Sequence, residues 1–195
     1  NTDIIKVDGR AVNARARKVY LMLHKPRGFV TTLSDERGRR TAAELVRGCG
    51  TRVYPVGRLD RDSEGLLLFT NDGALAQHLL HPSHQVDKVY EVTVTGGLTG
   101  AASRLAAVDE LDGEAIVPAQ VRELSRTGEK AVLEVIIHQG KKRQIRRMCA
   151  RVGLEVARLK RVAEDGLTLG DLPCGHWRYL TGEELDIIKG SDRHE

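Results

Sequence analysis

The sequence predicts an α+β fold in which period-two strands and short amphipathic helices are interspersed along the chain. Residues 89–95 alternate apolar and polar side chains and are rich in β-branched residues, which is typical of a strand. Residues 143–152 carry apolar side chains at i, i+3, i+4 and i+7, which indicates a helix with one buried face. A length of 195 residues allows one large domain or two small lobes with a buried core.

Turn residues separate the predicted elements of the first half. Pro26 cannot continue a strand ladder and Gly28 permits a turn, so the strand before them is expected to end there. Thr41 suits a helix N-cap, as does the turn at residues 70–73. The predicted elements are a hairpin at 4–12, strands at 19–24 and 66–69, and helices at 41–46 and 74–80.

The second half begins at Lys88 and is predicted in the same way. Strands are expected at 89–95, 130–138 and 167–169, shorter extended pieces at 115–118 and 119–124, and helices at 101–107, 143–152 and 183–185. Trp177 is expected to be a core anchor, and residues 191–195 a frayed tail. No element is assigned to residues 154–166.

Positive charge is concentrated in one segment. The formal net charge is only +4, but nine Lys or Arg residues lie between Lys141 and Arg161, against one acid, Glu155. This imbalance favours a polyanion-binding face over a merely solvated one. At about 100° per residue, Arg143, Arg147 and Arg151 fall opposite the buried stripe of the predicted helix, and Arg146 falls beside it, where it can point into a cleft.

Cysteine usage and hydropathy restrict the cellular setting. Cys49, Cys149 and Cys174 are odd in number and far apart, which supports neither a disulfide framework nor a four-cysteine zinc site. No apolar run reaches the length of a membrane span, and the N-terminus lacks the apolar core of a signal peptide. We therefore expect a cytoplasmic protein with no membrane partner.

The most informative run is the one from Gly57 to Gly73, which places Asp60 between Arg58 and Arg61 just before an apolar strand. Neighbouring guanidinium groups favour the ionised carboxylate, which is then available as a nucleophile or base. Together with the basic segment, this arrangement predicts covalent or base chemistry on nucleic acid.

Other interpretations of the same residues remain open from the sequence. Asp60, Asp62 and Glu64 could hold a cation in a metal-dependent nuclease or phosphoryl-transfer enzyme. The protein could instead only bind RNA through its basic helix. The trio His78, His81 and His84 has spacing that suits zinc, but a helix C-terminus before Pro82 explains these histidines better, and no metal site is predicted.

Several motifs in order resemble one enzyme family. They are Lys25-Pro26-Arg27-Gly28, Gly57-Arg58-Leu59-Asp60, Ser63-Glu64-Gly65-Leu66-Leu67, Lys88-Val89-Tyr90 and Gly140-Lys141-Lys142-Arg143-Gln144-Ile145-Arg146-Arg147-Met148. Together they resemble the RsuA/RluB branch of the ribosomal RNA pseudouridine synthases, nearer to the RluB side. The resemblance spans roughly residues 19–185.

The resemblance implies an architecture. It is a pseudouridine synthase fold whose mixed, mostly antiparallel sheet spans two lobes around a central RNA cleft. The catalytic domain is expected at 18–189, with lobes at about 18–87 and 88–189 and a tail at 190–195. Residues 1–17 would comprise a remnant of an S4-type RNA-binding domain, of which residues 4–12 resemble the last hairpin, and a linker.

The resemblance also implies a reaction and its residues. Uridine becomes pseudouridine when the N1–C1′ bond breaks and the uracil rejoins through C5, without a cofactor. Asp60 matches the catalytic carboxylate, and whether it acts at C1′, at the C2′ hydrogen or at C6 stays open. Tyr90 would stack on the flipped base and move a proton at C5, and Arg146 would keep Asp60 charged and aimed.

The implied partner is ribosomal RNA, 23S more than 16S, bound by a monomer. Arg58 is the candidate for filling the space that the flipped base leaves. The candidate RNA-binding residues are Arg58, Lys141, Lys142, Arg143, Arg147 and Arg151.

Overall fold

The computed structural model describes residues 17–32, 35 and 37–190, and the backbone of residues 4–7 and 10–13. Strands β1 (Ile4–Val7) and β2 (Arg10–Asn13) pair antiparallel, which confirms the predicted hairpin. Its assignment to an S4-type domain, and the domain and lobe boundaries, stay predictions. Part of the expected linker, residues 14–16, and the expected frayed tail at 191–195 lie outside the described residues.

The described residues form one large sheet with flanking helices and two separate two-stranded sheets. The remaining strands are β3 (Tyr20–Lys25), β4 (Tyr54–Val56), β5 (Glu64–Thr70), β6 (Lys88–Gly96), β7 (Glu110–Leu111), β8 (Glu114–Ala115), β9 (Gln120–Thr127), β10 (Lys130–Ile137), β11 (Leu154–Glu164), β12 (Leu167–Thr168) and β13 (Trp177–Tyr179). The two-stranded sheets are β1-β2 and a second hairpin of β7 and β8. The helices are a 3₁₀ helix (Ala42–Cys49), α1 (Gly73–Leu80), α2 (Ala101–Ala106), α3 (Gln144–Arg151) and α4 (Gly182–Gly190).

The sheet order is β13-β3-β5-β11-β6-β10-β9, with β4 added beside β5 and β12 beside β11. At its centre β5 and β11 run parallel, whereas the other named strand pairs among the described residues are antiparallel. The prediction of an α+β fold with a mixed, mostly antiparallel sheet is therefore confirmed.

Both faces of the sheet carry a core. The larger core includes Leu23 of β3, Val92 of β6 and Met148 of α3. The smaller core lies on the other face and includes Leu66 of β5 and Ile188 of α4. Alternation along the strands explains the division, because neighbouring residues of a strand point to opposite faces.

The helices begin within one residue of their predicted starts and end within three residues of their predicted ends, except α4, which continues to Gly190, five residues past its predicted end. The turn before α1 supplies its N-cap as expected, since the Asp72 carboxylate accepts a hydrogen bond from the backbone N–H of Leu75 (3.2 Å). In the part of the chain that the structure describes, no helix has the length and apolar character needed to cross a membrane.

One central element escaped the sequence analysis. Strand β11 pairs with both β5 and β6, yet its charged residues hide the period-two pattern. Two register shifts along its pairing with β6, between Val156 and Arg158 and between Arg161 and Ala163, also break the alternation.

Candidate active site

The loop between β4 and β5 carries Asp60 and is pinned to the body of the protein. Leu59 is buried in the larger core, and its carbonyl oxygen accepts a hydrogen bond from Thr31 Oγ1 (3.4 Å). The backbone N–H of Gly28 donates to the carbonyl oxygen of Arg61 (2.8 Å), and that of Ser63 donates to the carbonyl oxygen of Asp60 (3.0 Å). The Asp60 side chain, 37% exposed, is thus presented on a fixed backbone.

Lys25 forms a hydrogen bond to the same loop from the interior of the protein. Its side chain is fully buried, and its ammonium donates to the carbonyl oxygens of Pro26 (2.9 Å) and Arg61 (3.4 Å). Burial lowers the pKa of Lys25 to about 8, although Asp62 and Asp60 nearby favour the charged form. From the sequence this Lys-Pro pair was interpreted as the end of a strand and as part of a family motif without a catalytic role, because burial of a lysine cannot be deduced from local pattern.

Helix α3 brings two arginines to the Asp60 loop. Arg143 at its N-cap has a left-handed backbone (φ 51°), which costs a non-glycine residue about 1 kcal/mol or more. Its Nη1 and Nη2 donate to Oδ1 and Oδ2 of Asp62 (3.0 and 2.9 Å). Arg146 Nη2 donates to the carbonyl oxygen of Asp62 (2.9 Å), and its Nη1 lies 3.5 Å from Asp62 Oδ2.

The arginine that approaches Asp60 differs from the expected one. Arg143 Nη1 lies 3.7 Å from Asp60 Oδ2, and among the described residues no ion pair joins Asp60 to Arg58, Arg61 or Arg146. Arg146 is nevertheless close enough for attraction between its charge and that of Asp60. As the helical wheel predicts, the Arg146 side chain is largely buried (14% exposed) and turned toward the cleft loop.

Tyr90 of β6 lies at the wall of the same cleft, 8% exposed. Arg161 of β11 is its cross-strand neighbour and is also buried. Arg161 Nε donates to the carbonyl oxygen of Leu66 (2.9 Å), which fixes the guanidinium beside the phenol. Burial raises the pKa of Tyr90, and the charge of Arg161 opposes this rise. The sequence did not indicate Arg161 as a candidate site residue, because strand β11 was not predicted.

These groups line an open cleft of about 960 Å³. Asp60, Tyr90, Arg143 and Arg161 all contribute to its wall. Among the lining residues, Lys and Arg outnumber Asp and Glu by eight to three. Such an excess of positive charge attracts a polyanion.

The outer face of α3 is less available than the sequence suggests. The hairpin formed by β7 and β8 supplies acids that the local charge count does not include. Arg147 pairs with Asp112 (2.9 Å) and Lys141 with Glu114 (3.0 Å). Arg151 donates to the carbonyl oxygen of Glu110 (3.0 Å). The expectation that compensating acids are lacking was therefore wrong for this face.

Lys142 and Arg58 differ from these cations in their exposure to the cleft. Both are exposed and line the cleft, and within the described ranges neither forms an ion pair. Of the six candidate RNA-binding residues, these two present the least compensated charge. Local sequence could not distinguish them from the others, because the pairing acids come from distant segments.

In the part of the chain that the structure describes, the side chains considered for metal binding do not form one ligand set, although the rings of His78 and His84 lie 4.9 Å apart. Asp62 binds Arg143, and the Glu64 carboxylate accepts two hydrogen bonds from Arg158 Nε and Nη2 (3.0 and 2.7 Å). His81 is exposed and contacts Ser83. Within the described residues, no group of three His, Cys, Asp or Glu side chains has a geometry that could hold a metal ion.

Comparison with known proteins gives a consistent result. A family model described as RNA pseudouridylate synthase matches residues 19–151. The ribosomal large subunit pseudouridine synthase B of Bacillus subtilis (strain 168) is 37% identical over 196 residues, covering 99% of this chain and 80% of its own. An RNA pseudouridine synthase of Aquifex aeolicus is 40% identical over 185 residues, covering 94% and 74% of the two chains.

The fold agrees with this similarity. A crystal structure of a pseudouridylate synthase superimposes with a TM-score of 0.77 at 28% sequence identity, covering 91% of this chain and 76% of that one. A Cbf5-Nop10-Gar1 complex shares the fold at 14% identity and a TM-score of 0.56, over 77% of this chain and 50% of that chain.

Proposed function

Since the chain belongs to the RNA pseudouridylate synthase family, whose members isomerise uridine to pseudouridine, we propose that Asp60 is the carboxylate that carries out this reaction on ribosomal RNA. The observation that carries the proposal is that Asp60, Tyr90 and Arg143 line one positively charged cleft, with Arg143 3.7 Å from Asp60. These groups come from segments far apart in sequence.

The chemistry suits this set of groups. A uridine inside a helix is inaccessible, so the base must leave the stack at a cost of about 3 kcal/mol. In the cleft, Asp60 attacks or deprotonates the nucleoside while N1–C1′ breaks and C5–C1′ forms. Tyr90 offers a ring for stacking and a hydroxyl that can relay the proton leaving C5, while N1 gains a proton. Arg143 and Arg146 place positive charge near the Asp60 carboxylate.

Large-subunit RNA is the proposed substrate. The Bacillus subtilis relative that aligns with 99% of this chain is named as a large-subunit enzyme. A second relative, the dual-specificity RNA pseudouridine synthase RluF of Shigella flexneri, is 36% identical over 96% of this chain. Proteins recognise unpaired uridines in the loops of folded RNA through the shape of the RNA and through contacts with base edges. A uridine of this kind is therefore the proposed target.

The test of catalysis is Asp60→Asn, which removes the charge and keeps the shape. Tritium release from 5-tritiated uridine in ribosomal RNA should fall below detection, while RNA affinity and the unfolding midpoint stay near the wild-type values. Glu134→Gln, which removes a carboxylate paired with Arg122 on the β9–β10 strands, is the matched control and should retain activity. Turnover by Asp60→Asn at the wild-type rate would disprove the role of Asp60.

The substrate is tested separately by mapping pseudouridines with carbodiimide in ribosomes from cells lacking this protein. The expected result is loss of a pseudouridine in 23S RNA. Loss confined to 16S RNA would contradict the large-subunit proposal and leave the catalytic one standing.

A further inference from the structure

Asp62, two residues after Asp60, is the main contact between the Asp60 loop and helix α3. Its carboxylate accepts hydrogen bonds from both terminal nitrogens of Arg143 (3.0 and 2.9 Å). Its carbonyl oxygen accepts from Arg146 (2.9 Å), whose Nη1 also lies 3.5 Å from Oδ2. Both arginines are more than 80 residues away in sequence. The Arg143 pair also holds the pKa of Asp62 below its ordinary value.

One guanidinium therefore faces two carboxylates and is bound to only one. Arg143 Nη1 stands 3.7 Å from Asp60 Oδ2, beyond hydrogen-bonding distance but close enough for attraction. Among the described residues this is the one ion pair of Asp60. The Asp60 oxygens are thus near positive charge without being held by it.

That difference matters for a carboxylate that has to react. In a bidentate pair with arginine each oxygen has one lone pair in a charge-assisted hydrogen bond, which draws electron density from the carboxylate and makes it a weaker nucleophile and a weaker base. An arginine that stays just out of hydrogen-bond contact favours the anion and leaves its lone pairs available.

We propose that Asp62 is a positioning residue that keeps Arg143 engaged and so prevents it from forming a bidentate pair with Asp60. The proposal rests on the catalytic role proposed for Asp60. It assigns the two acids of the loop different tasks: Asp62 binds the arginine and Asp60 reacts.

The first variant is Asp62→Asn, which preserves size and removes the charge. Arg143 then has Asp60 as its remaining carboxylate, and a small side-chain movement shortens the 3.7 Å separation to a hydrogen bond of about 3.0 Å. The turnover number from tritium release should fall by about tenfold to a hundredfold, with KM for RNA changed less than about threefold.

The decisive variant is the double substitution Asp62→Asn with Arg143→Gln. If Arg143 inactivates Asp60 by binding it, removal of the arginine should raise the turnover number of Asp62→Asn by about fivefold or more. If Asp62 only fastens the loop to α3, the double variant lacks the same contact and should be no faster than Asp62→Asn. A double variant that is no faster than Asp62→Asn overturns the proposal.

Three controls accompany these measurements. Arg143→Gln alone gives the cost of losing the arginine while Asp62 is present. Urea unfolding of each variant shows whether a lower turnover number results from loss of the folded state. Asp60→Asn separates the two hypotheses: activity in that variant overturns the proposed function, whereas an inactive Asp60→Asn with no recovery in the double variant overturns only the role of Asp62.

Discussion

A single missing Cβ lets the two central strands approach each other at Gly65. This residue has a φ of +112°, and a Cβ placed on it would lie 2.1 Å from the carbonyl oxygen of Arg161. The contact is with backbone at the parallel pairing of β5 and β11, so no side chain can turn away to relieve it. Gly65 also follows the Asp60 loop closely, so its geometry affects the candidate active site as well as the sheet.

Gly65→Ala is therefore expected to be severely destabilising. The free energy of unfolding should fall by about 3 kcal/mol or more, because both the backbone angle and the space exclude a side chain. Urea unfolding measures it. Gly182→Ala at the start of α4 meets no atom within 4 Å and should change stability by less than about 1 kcal/mol. Similar losses for the two variants would argue against the close approach at Gly65.

At the scale of elements, the hairpin of β7 and β8 supplies acids that form ion pairs with Arg147 of α3 and with Lys141 just before this helix. Asp112 and Glu114 are highly exposed (81% and 72%), so each ion pair contributes little to stability. Their larger effect is on binding, since RNA phosphate must compete with them for Arg147 and Lys141.

The double variant Asp112→Asn with Glu114→Gln should therefore bind RNA more tightly and with a steeper salt dependence. Each additional phosphate that the protein neutralises steepens the slope of log affinity against log salt by about 0.7–0.9. Filter binding at several salt concentrations measures this slope. Glu123→Gln, which removes the partner of Arg126 on β9 outside the cleft wall, should leave it unchanged. An unchanged slope in the double variant would mean that these cations do not contact RNA.

The elements that sequence predicts well are those whose burial follows a simple period. The pattern of β6, the apolar stripe of α3 and the N-cap before α1 each follow from neighbouring residues alone. Strand β11 and the acids facing α3 were missed because both depend on contacts between distant segments. The approach of Arg143 to Asp60 was missed for a different reason: Arg143 is the N-cap of α3 and has a left-handed backbone, whereas a helical wheel assumes helical backbone angles.

At the scale of the whole molecule, His24 links pH to stability. Its ring is buried, and Nδ1 donates to the carbonyl oxygen of Leu172 (2.7 Å), which leaves Nε2 buried without a hydrogen-bond partner among the described residues. Burial, aided by the charges of Lys160 and Arg158, lowers the pKa of His24 despite the bond to Leu172.

The folded protein therefore binds this proton less readily than the unfolded chain does. As pH falls below the ordinary histidine value of 6.5, the free energy of unfolding should decrease, by at most about 1.4 kcal/mol per pH unit. Urea unfolding between pH 7 and pH 5 should show a shallower decrease for His24→Gln. The exposed His81→Gln is the control and should follow the wild type. Equal pH dependence in wild type and His24→Gln would show that His24 is not responsible.

The parallel pairing of β5 with β11 also bears on when the candidate active site can form during synthesis of the chain. The bond from Arg161 to Leu66 spans 95 residues, so the strand beside the Asp60 loop is translated long after the loop itself. Contacts this distant form late in folding because the intervening chain must first be ordered. A nascent polypeptide whose β11 is still inside the exit tunnel therefore lacks the strand that pairs with β5 beside the Asp60 loop, and we expect the candidate active site to form only after β11 has emerged.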